Sequence, residues 1–159
     1  MEKENLLEYV APCGLLCYAC ISFKDGPCSQ GARDVYTYTD GWDEFYSANL
    51  PKRKRKKYQK ESNAYRNTLQ FLGGASCPGC RNHPPSNKGG WGCREGCAIQ
   101  ACVKERGVDF CAQCDAFPCD KLDQHCADSN RRIQEIGLEA YFEEKKQTSI
   151  YARWKKKAE

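Results

Sequence analysis

Residues 93–119 read CREGCAIQACVKERGVDFCAQCDAFPC. Six cysteines, Cys93, Cys97, Cys102, Cys111, Cys114 and Cys119, give the pattern C-x3-C-x4-C-x8-C-x2-C-x4-C. Two or three residues between cysteines is the spacing at which two thiolates reach one metal ion. Working outward, C-x2-C recurs at Cys77 and Cys80, and C-x3-C-x2-C opens the chain at Cys13, Cys17 and Cys20, with Cys28 beyond it. Cys126 completes a count of 13 cysteines in 159 residues. These groups predict a small, mostly α, irregular zinc-stapled domain. Short β-hairpin knuckles are expected around the C-x2-C pairs, as in zinc ribbons, and residues 1–159 form a single unit.

The apolar share of 40% includes the cysteines, and without them it is thin for a conventional core. Metal–thiolate bonds are therefore expected to supply folding energy; structural zinc contributes on the order of 10 kcal/mol per site in zinc-finger peptides. Disulfides are the competing reading. The start MEKENLLEYVAPCG lacks the basic segment and apolar run of a secretory signal. No stretch approaches the roughly 20 apolar residues of a membrane span. A reducing, cytoplasmic setting is expected, where clustered thiols more often bind metal. An odd cysteine count also leaves one unpaired in any disulfide scheme.

Zinc takes four tetrahedral ligands, and a structural site is closed by four side chains. His83 and His125 are the only histidines, so the sites must be mostly all-cysteine. Twelve cysteines make three sites and leave Cys126, isolated in a helical stretch, as a small buried apolar side chain. Two zinc ions with several free thiols is the other count. The partition stays open. A local scheme joins Cys13, Cys17, Cys20 and Cys28. An interleaved scheme joins the N-terminal triad to Cys77 and Cys80 across the intervening residues, where closing a long loop is the better use of a cross-link.

The formal net charge is +4. Twelve thiolates holding about three zinc ions would bring it to about −2, and two sites to about zero. The basic residues thus balance the metal sites and argue weakly for nucleic acid. The strongest charge feature is Lys52-Arg53-Lys54-Arg55-Lys56-Lys57. It spans more than one helical turn, so it points in every direction. It also crowds a helix N-terminus, where the dipole disfavours cations. A solvated helix start is the expected reading, with nucleic acid through Lys52–Lys57 an alternative that is not favoured.

Between the cysteine groups, residues 29–76 read as a helical insertion. Trp42, Phe45 and Tyr46 take helical spacing after the turn signal Asp40–Gly41. Tyr58, Tyr65, Leu69 and Leu72 form a stripe expected to be core, and Gly73–Gly74 stops that helix. A short helix over Leu15–Phe23 is expected to carry Cys17 and Cys20 on one face, ended by Gly26–Pro27. Asn82–Gly92 reads as loop, with Trp91 a candidate cover for a metal site. Residues 120–159 form a helical tail: Leu122, Ile133 and Ile136 lead to a stop at Gly137. Leu138, Tyr141 and Phe142 line a second helix, and Tyr151 and Trp154 either pack or fray.

Other cysteine chemistries fit less well. The C-x3-C-x2-C spacing at Cys13, Cys17 and Cys20 matches the [4Fe–4S] motif of radical S-adenosylmethionine enzymes. Those enzymes place an aromatic residue just before the last cysteine, where this chain has Ala19, and they need a much longer barrel. The ferredoxin run C-x2-C-x2-C-x3-C-P does not occur. Neither CPGC at 77–80 nor CAQC at 111–114 follows an apolar strand, as a thiol–disulfide redox motif would. No nucleophile–base–acid set, H-E-x-x-H or G-x-S-x-G is present.

The motifs APCGLLCYAC (11–20), SCPGCR (76–81) and CAIQACVKERGVDFCAQCDAFPCDKL (97–122), with IQEIGLEAYFEE (133–144) behind them, resemble a bacterial and archaeal domain-of-unknown-function family, number 3795. The resemblance covers nearly the whole chain, least surely the insertion. It implies zinc binding without an established activity, and ligand roles for Cys13, Cys17, Cys20, Cys77, Cys80, Cys97, Cys102, Cys111, Cys114 and Cys119. Cys28, Cys93 and Cys126 are less typical of it. Ala101 and Val103 stand where the family often has Lys and Ala, which argues for fewer metals than the cysteine count permits.

The expected function is a zinc-binding protein, with two or three Zn²⁺ per chain, acting as a binding or interaction module. The alternatives are an iron–sulfur or thiolate-based redox protein and a nucleic-acid-binding zinc protein. The partner is not identified by the residues.

Overall fold

The computed structural model describes the backbone of residues 3–82 and 97–152. Seven α-helices occur among them: α1 (Lys3–Tyr9), α2 (Pro27–Tyr38), α3 (Trp42–Asn49), α4 (Lys52–Gly73), α5 (Ala98–Arg106), α6 (Gln124–Ile136) and α7 (Leu138–Lys145). None is long and apolar enough to cross a membrane. Short 3-10 turns lie at Cys17–Ala19, Cys80–Asn82 and Cys111–Gln113.

The main core joins the two ends of the chain. Leu6, Val10 and Leu16 from the first segment pack with Phe110, Ala112, Ile133, Tyr141 and Phe142 from the second. Around them Tyr9 meets the rings of Tyr18, Phe23 and Phe142 at 5.2–5.9 Å. Burying a side chain of this size stabilises by about 2–3 kcal/mol, so this cluster can hold the helices together.

The helices of this core follow local signals. Asp123 caps α6, its carboxylate accepting the Cys126 N–H at 2.7 Å. Gly137, at φ +81°, turns the chain directly into α7. The Tyr141 hydroxyl then reaches back to donate to the Gly14 carbonyl at 2.7 Å.

The insertion is helical as expected, built from α2, α3 and α4. The helix pair α2–α4 is the most extensive among the described residues. Its stripe is only partly core: Leu69 is buried, whereas Tyr65 is exposed. The two ends of the insertion meet. Phe23 and Cys77 form an isolated parallel bridge, with Lys24 N–H donating to the Cys77 carbonyl and Cys77 N–H to the Ser22 carbonyl, each at 3.0 Å. Arg33 braces the same place, donating to the carbonyls of Gly73 (3.1 Å) and Lys24 (3.0 Å).

Three expectations are corrected. Among the described residues there are no β-hairpins, only the isolated bridges Val10–Leu16 and Phe23–Cys77. The C-x2-C segments at 17–20 and 111–114 form 3-10 turns instead, and at 77–80 such a turn starts only at Cys80. Leu15–Phe23 holds one such turn and no longer helix, and Gly26–Pro27 starts α2 where a helix stop was expected. Pro suits the first helical turn because its missing N–H is not needed there. Finally, the fold is not zinc-stapled: no group of three or more Cys, His, Asp or Glu that could hold a metal ion occurs among the described residues. The organising contacts are apolar. Asn82–Gly92 lies almost wholly outside the described residues, as do Trp91 and Trp154.

Candidate functional site

Two of the three C-x2-C segments share one local design. Cys20 N–H donates to the Cys17 carbonyl at 2.9 Å, and Cys114 N–H to the Cys111 carbonyl at 3.0 Å. The second turn is held at its start by Gln113, whose side-chain oxygen accepts the N–H groups of Asp109 (2.7 Å) and Phe110 (3.2 Å). Cys111 N–H donates to the Pro12 carbonyl at 3.1 Å, which sets this turn against the turn bearing Cys13.

Cys111 is the centre of the larger thiol neighbourhood. Burial, then the charges of Cys13, Cys119, Cys102 and Cys114, push its thiol up to about 11. These thiols come from three stretches of chain: the Cys13 turn, α5 and the Cys111–Cys119 loop. Arg106, one turn after Cys102 on α5, donates to the Cys114 sulfur at 3.3 Å and also bonds Cys102. The Cys114 charge, first, makes that guanidinium hold its proton more firmly.

Cys126 belongs to this neighbourhood too. It is buried on α6, and its thiol is hydrogen-bonded to Cys13. That bond, ahead of burial, pushes the Cys126 thiol far up. The expected isolated apolar role is therefore incomplete. Spacing gave no signal of it, because Cys13 and Cys126 lie at opposite ends of the chain.

A second neighbourhood lies at the base of the insertion. The Tyr151 hydroxyl is 3.3 Å from the Cys20 sulfur and accepts the Ile21 N–H at 3.3 Å. Burial, then the bond to Cys20, pushes the Tyr151 phenol up to about 12, with Cys28 adding a smaller push. The backbone pairing of Ser22–Lys24 with Cys77 brings the C-x2-C of 77–80 to this place. The interleaved scheme would have all of Cys13, Cys17 and Cys20 here, whereas Cys13 lies in the Cys111 neighbourhood. Tyr151 is held by its two polar contacts with Cys20 and Ile21 while its ring stays exposed.

Arg81 stands between the two neighbourhoods and feels the charges of Cys80, Cys17 and Cys13. Its guanidinium donates to the carbonyls of Leu7 and Asp109, both at 2.7 Å, and lies 4.8 Å over the Phe110 ring. Burial lowers its pKa. Among the other expected ligands, Cys97 is the N-cap of α5 and Cys28 is exposed in the first turn of α2. Cys93 lies outside the described residues.

Tested against a zinc ion, the donor set has the right chemistry, since thiolates are soft ligands that select zinc. The placement does not fit a closed site. As the described side chains stand, thiols are neighbours and pairs, without three donors converging on one point.

A family model described as "Protein of unknown function (DUF3795)" matches residues 9–124. The chain belongs to this family. The DUF3795 span includes every cysteine except Cys126 and ends in the first turn of α6. It therefore takes in the whole insertion and both thiol neighbourhoods except Cys126 and Tyr151, while most of α6 and all of α7 lie outside it. No curated protein matched the chain. No solved structure matched it either.

Proposed function

We propose that this protein binds zinc through its cysteine thiols and serves as a binding or interaction module. The supporting observation is the neighbourhood of Cys111, where the thiols of Cys13, Cys102, Cys114 and Cys119 all bear on one half-buried thiol. Bare thiolates so close repel one another. A bound cation reverses that repulsion and draws the protons off. Since no three donors stand ready, ion uptake and the closing of thiols around it form one event. This reading concerns metal uptake by a chain already packed through its apolar core.

The test is elemental analysis of the full chain purified anaerobically. Two or three zinc ions per chain and no iron are expected. Iron with absorption near 400 nm turns the reading to an iron–sulfur protein, and a metal-free protein overturns it.

One observation favours a second reading, a thiol–disulfide role. The Cys13 and Cys126 thiols are already hydrogen-bonded. Joining them removes two electrons and two protons, which hydrogen peroxide would take up to leave two waters. Peptide mapping after peroxide treatment tests it: a Cys13–Cys126 linkage supports this role, and any other linkage pattern rejects it.

A further inference from the structure

The insertion carries a surface that the cysteine chemistry leaves unused. On α3, Trp42, Phe45 and Tyr46 are 50%, 63% and 40% exposed. Trp42 stacks on Tyr46 with centroids 5.4 Å apart and planes 18° apart, and it lies 5.9 Å from the Phe45 ring. Tyr46 meets Tyr58 of α4 at 4.8 Å. Four aromatic rings thus form one continuous, half-exposed platform across two helices. Exposing this much ring surface forgoes burial that would stabilise the fold.

The basic run adjoins the platform. Lys54 sits one helical turn before Tyr58 and shares its face. Arg55 fixes the corner, donating to the carbonyls of Leu50 (2.9 Å) and Ala48 (3.1 Å). Among the described residues, Lys52, Arg53, Lys54 and Lys56 have no acidic side chain within 4.0 Å, whereas Lys57 is 3.8 Å from Glu61. The acidic groups nearby are largely engaged. Asp43 bonds Ser62 and Tyr58 and faces Arg66 at 3.7 Å, and Asp40 faces Arg66 at 3.5 Å. Glu44 on α3 is exposed.

We infer that the α3–α4 corner binds single-stranded nucleic acid, stacking unpaired bases on Trp42 and Phe45 and holding phosphates with the Lys52–Lys57 run. Charge alone would suit any polyanion. The exposed stacked rings narrow the choice, because they offer π-faces that unpaired bases fill and an acidic peptide does not. A duplex keeps its bases stacked on each other and has none to offer. Cations pointing in several directions, which read as unspecific in the sequence, here flank a platform and can follow a flexible backbone around the corner.

The test is fluorescence anisotropy of the full chain with a labelled oligo-dT or oligo-rU of about 15 nucleotides, starting near 50 mM salt. Binding is expected to weaken steeply with salt, by a slope of about −0.7 for each phosphate neutralised. Changing Lys52→Gln, Lys54→Gln and Lys56→Gln together should shallow that slope by about 2. Trp42→Ala and Phe45→Ala should each weaken binding about tenfold and leave the slope unchanged. All five side chains are exposed, so the variants should fold, and far-UV circular dichroism checks that they do. Absence of binding at low salt overturns the inference. Equal binding of a duplex overturns it, as does equal binding of polyglutamate, which would mark an acidic protein partner. Unchanged affinity in both aromatic variants also overturns it.

Discussion

The side-chain oxygen of Asn130 accepts the Ala112 N–H at 2.9 Å. Asn130 is fully buried on α6, and its amide nitrogen donates to the Cys126 carbonyl at 3.0 Å. Ala112 lies between Cys111 and Cys114. One neutral side chain therefore joins the C-x2-C turn to the helix bearing Cys126, with both of its polar ends satisfied. Buried amides are kept where every group finds a partner, because an unpaired one is costly.

Asn130→Ala leaves the Ala112 N–H without its acceptor in a buried setting. A loss of about 2–4 kcal/mol in unfolding free energy is expected. Urea denaturation measures it, as a lower midpoint at unchanged slope. A loss within experimental error would mean that water reaches this turn and that Gln134, the other α6 side chain bonded to Ala112, is enough to hold it.

Two glycines should respond to alanine with opposite signs. Gly14 has φ +84°, and a Cβ there would lie 2.7 Å from the Ser129 Cβ. Backbone strain and overpacking add, so Gly14→Ala should cost about 2–4 kcal/mol. Gly31 lies inside α2, where a Cβ meets nothing within 4 Å. Gly31→Ala should stabilise by about 0.5–1 kcal/mol through helix propensity. Thermal melts of the two variants beside the parent chain check both signs.

Helical spacing predicted the insertion because its signals are local. Gly41 precedes α3 and Gly73 ends α4. Exposure was less legible: the same spacing that buries Leu69 leaves Tyr65 outside, because only part of the α4 face lies against a neighbour. The cysteine spacing was read as β-knuckles, yet a C-x2-C segment closes equally well as a 3-10 turn. Which thiols meet is a question of long-range pairing, and spacing does not answer it. Cys111 N–H to the Pro12 carbonyl and the Ser22–Lys24 pairing with Cys77 decide that, through backbone groups that any residue carries. Cys126 is buried on a helix as its sequence setting implied, but its tie to Cys13 was not legible, since that partner is remote in sequence.

Arg81 links three segments through the carbonyls of Leu7, Val10 and Asp109. A lysine at this place keeps the charge but is a point donor without the planar fork, and it loses the stacking on Phe110. Arg81→Lys should destabilise by about 1–3 kcal/mol. It should also loosen the packing of α1 against the 77–82 segment, seen as faster amide hydrogen exchange in both. Equal stability of the lysine variant would show that charge alone is what this position supplies.

Metal removal separates the two ways in which thiols can matter. The core of Leu6, Val10, Leu16, Phe110, Ile133, Tyr141 and Phe142 contains no thiol, and its helices are capped and joined by Asp123, Gly137 and Asn130. Treating the protein with a strong chelator under reducing conditions should therefore leave the far-UV helical signal in place. Any zinc released should coincide with faster reaction of the thiols toward an aromatic disulfide reagent, because the ion had masked them. Collapse of the helical signal on chelation would mean instead that thiolate–metal bonds carry the fold, as they do in zinc fingers that are unfolded without metal. Retained helices with newly reactive thiols would place the metal in a ligand-binding role on a fold that stands without it.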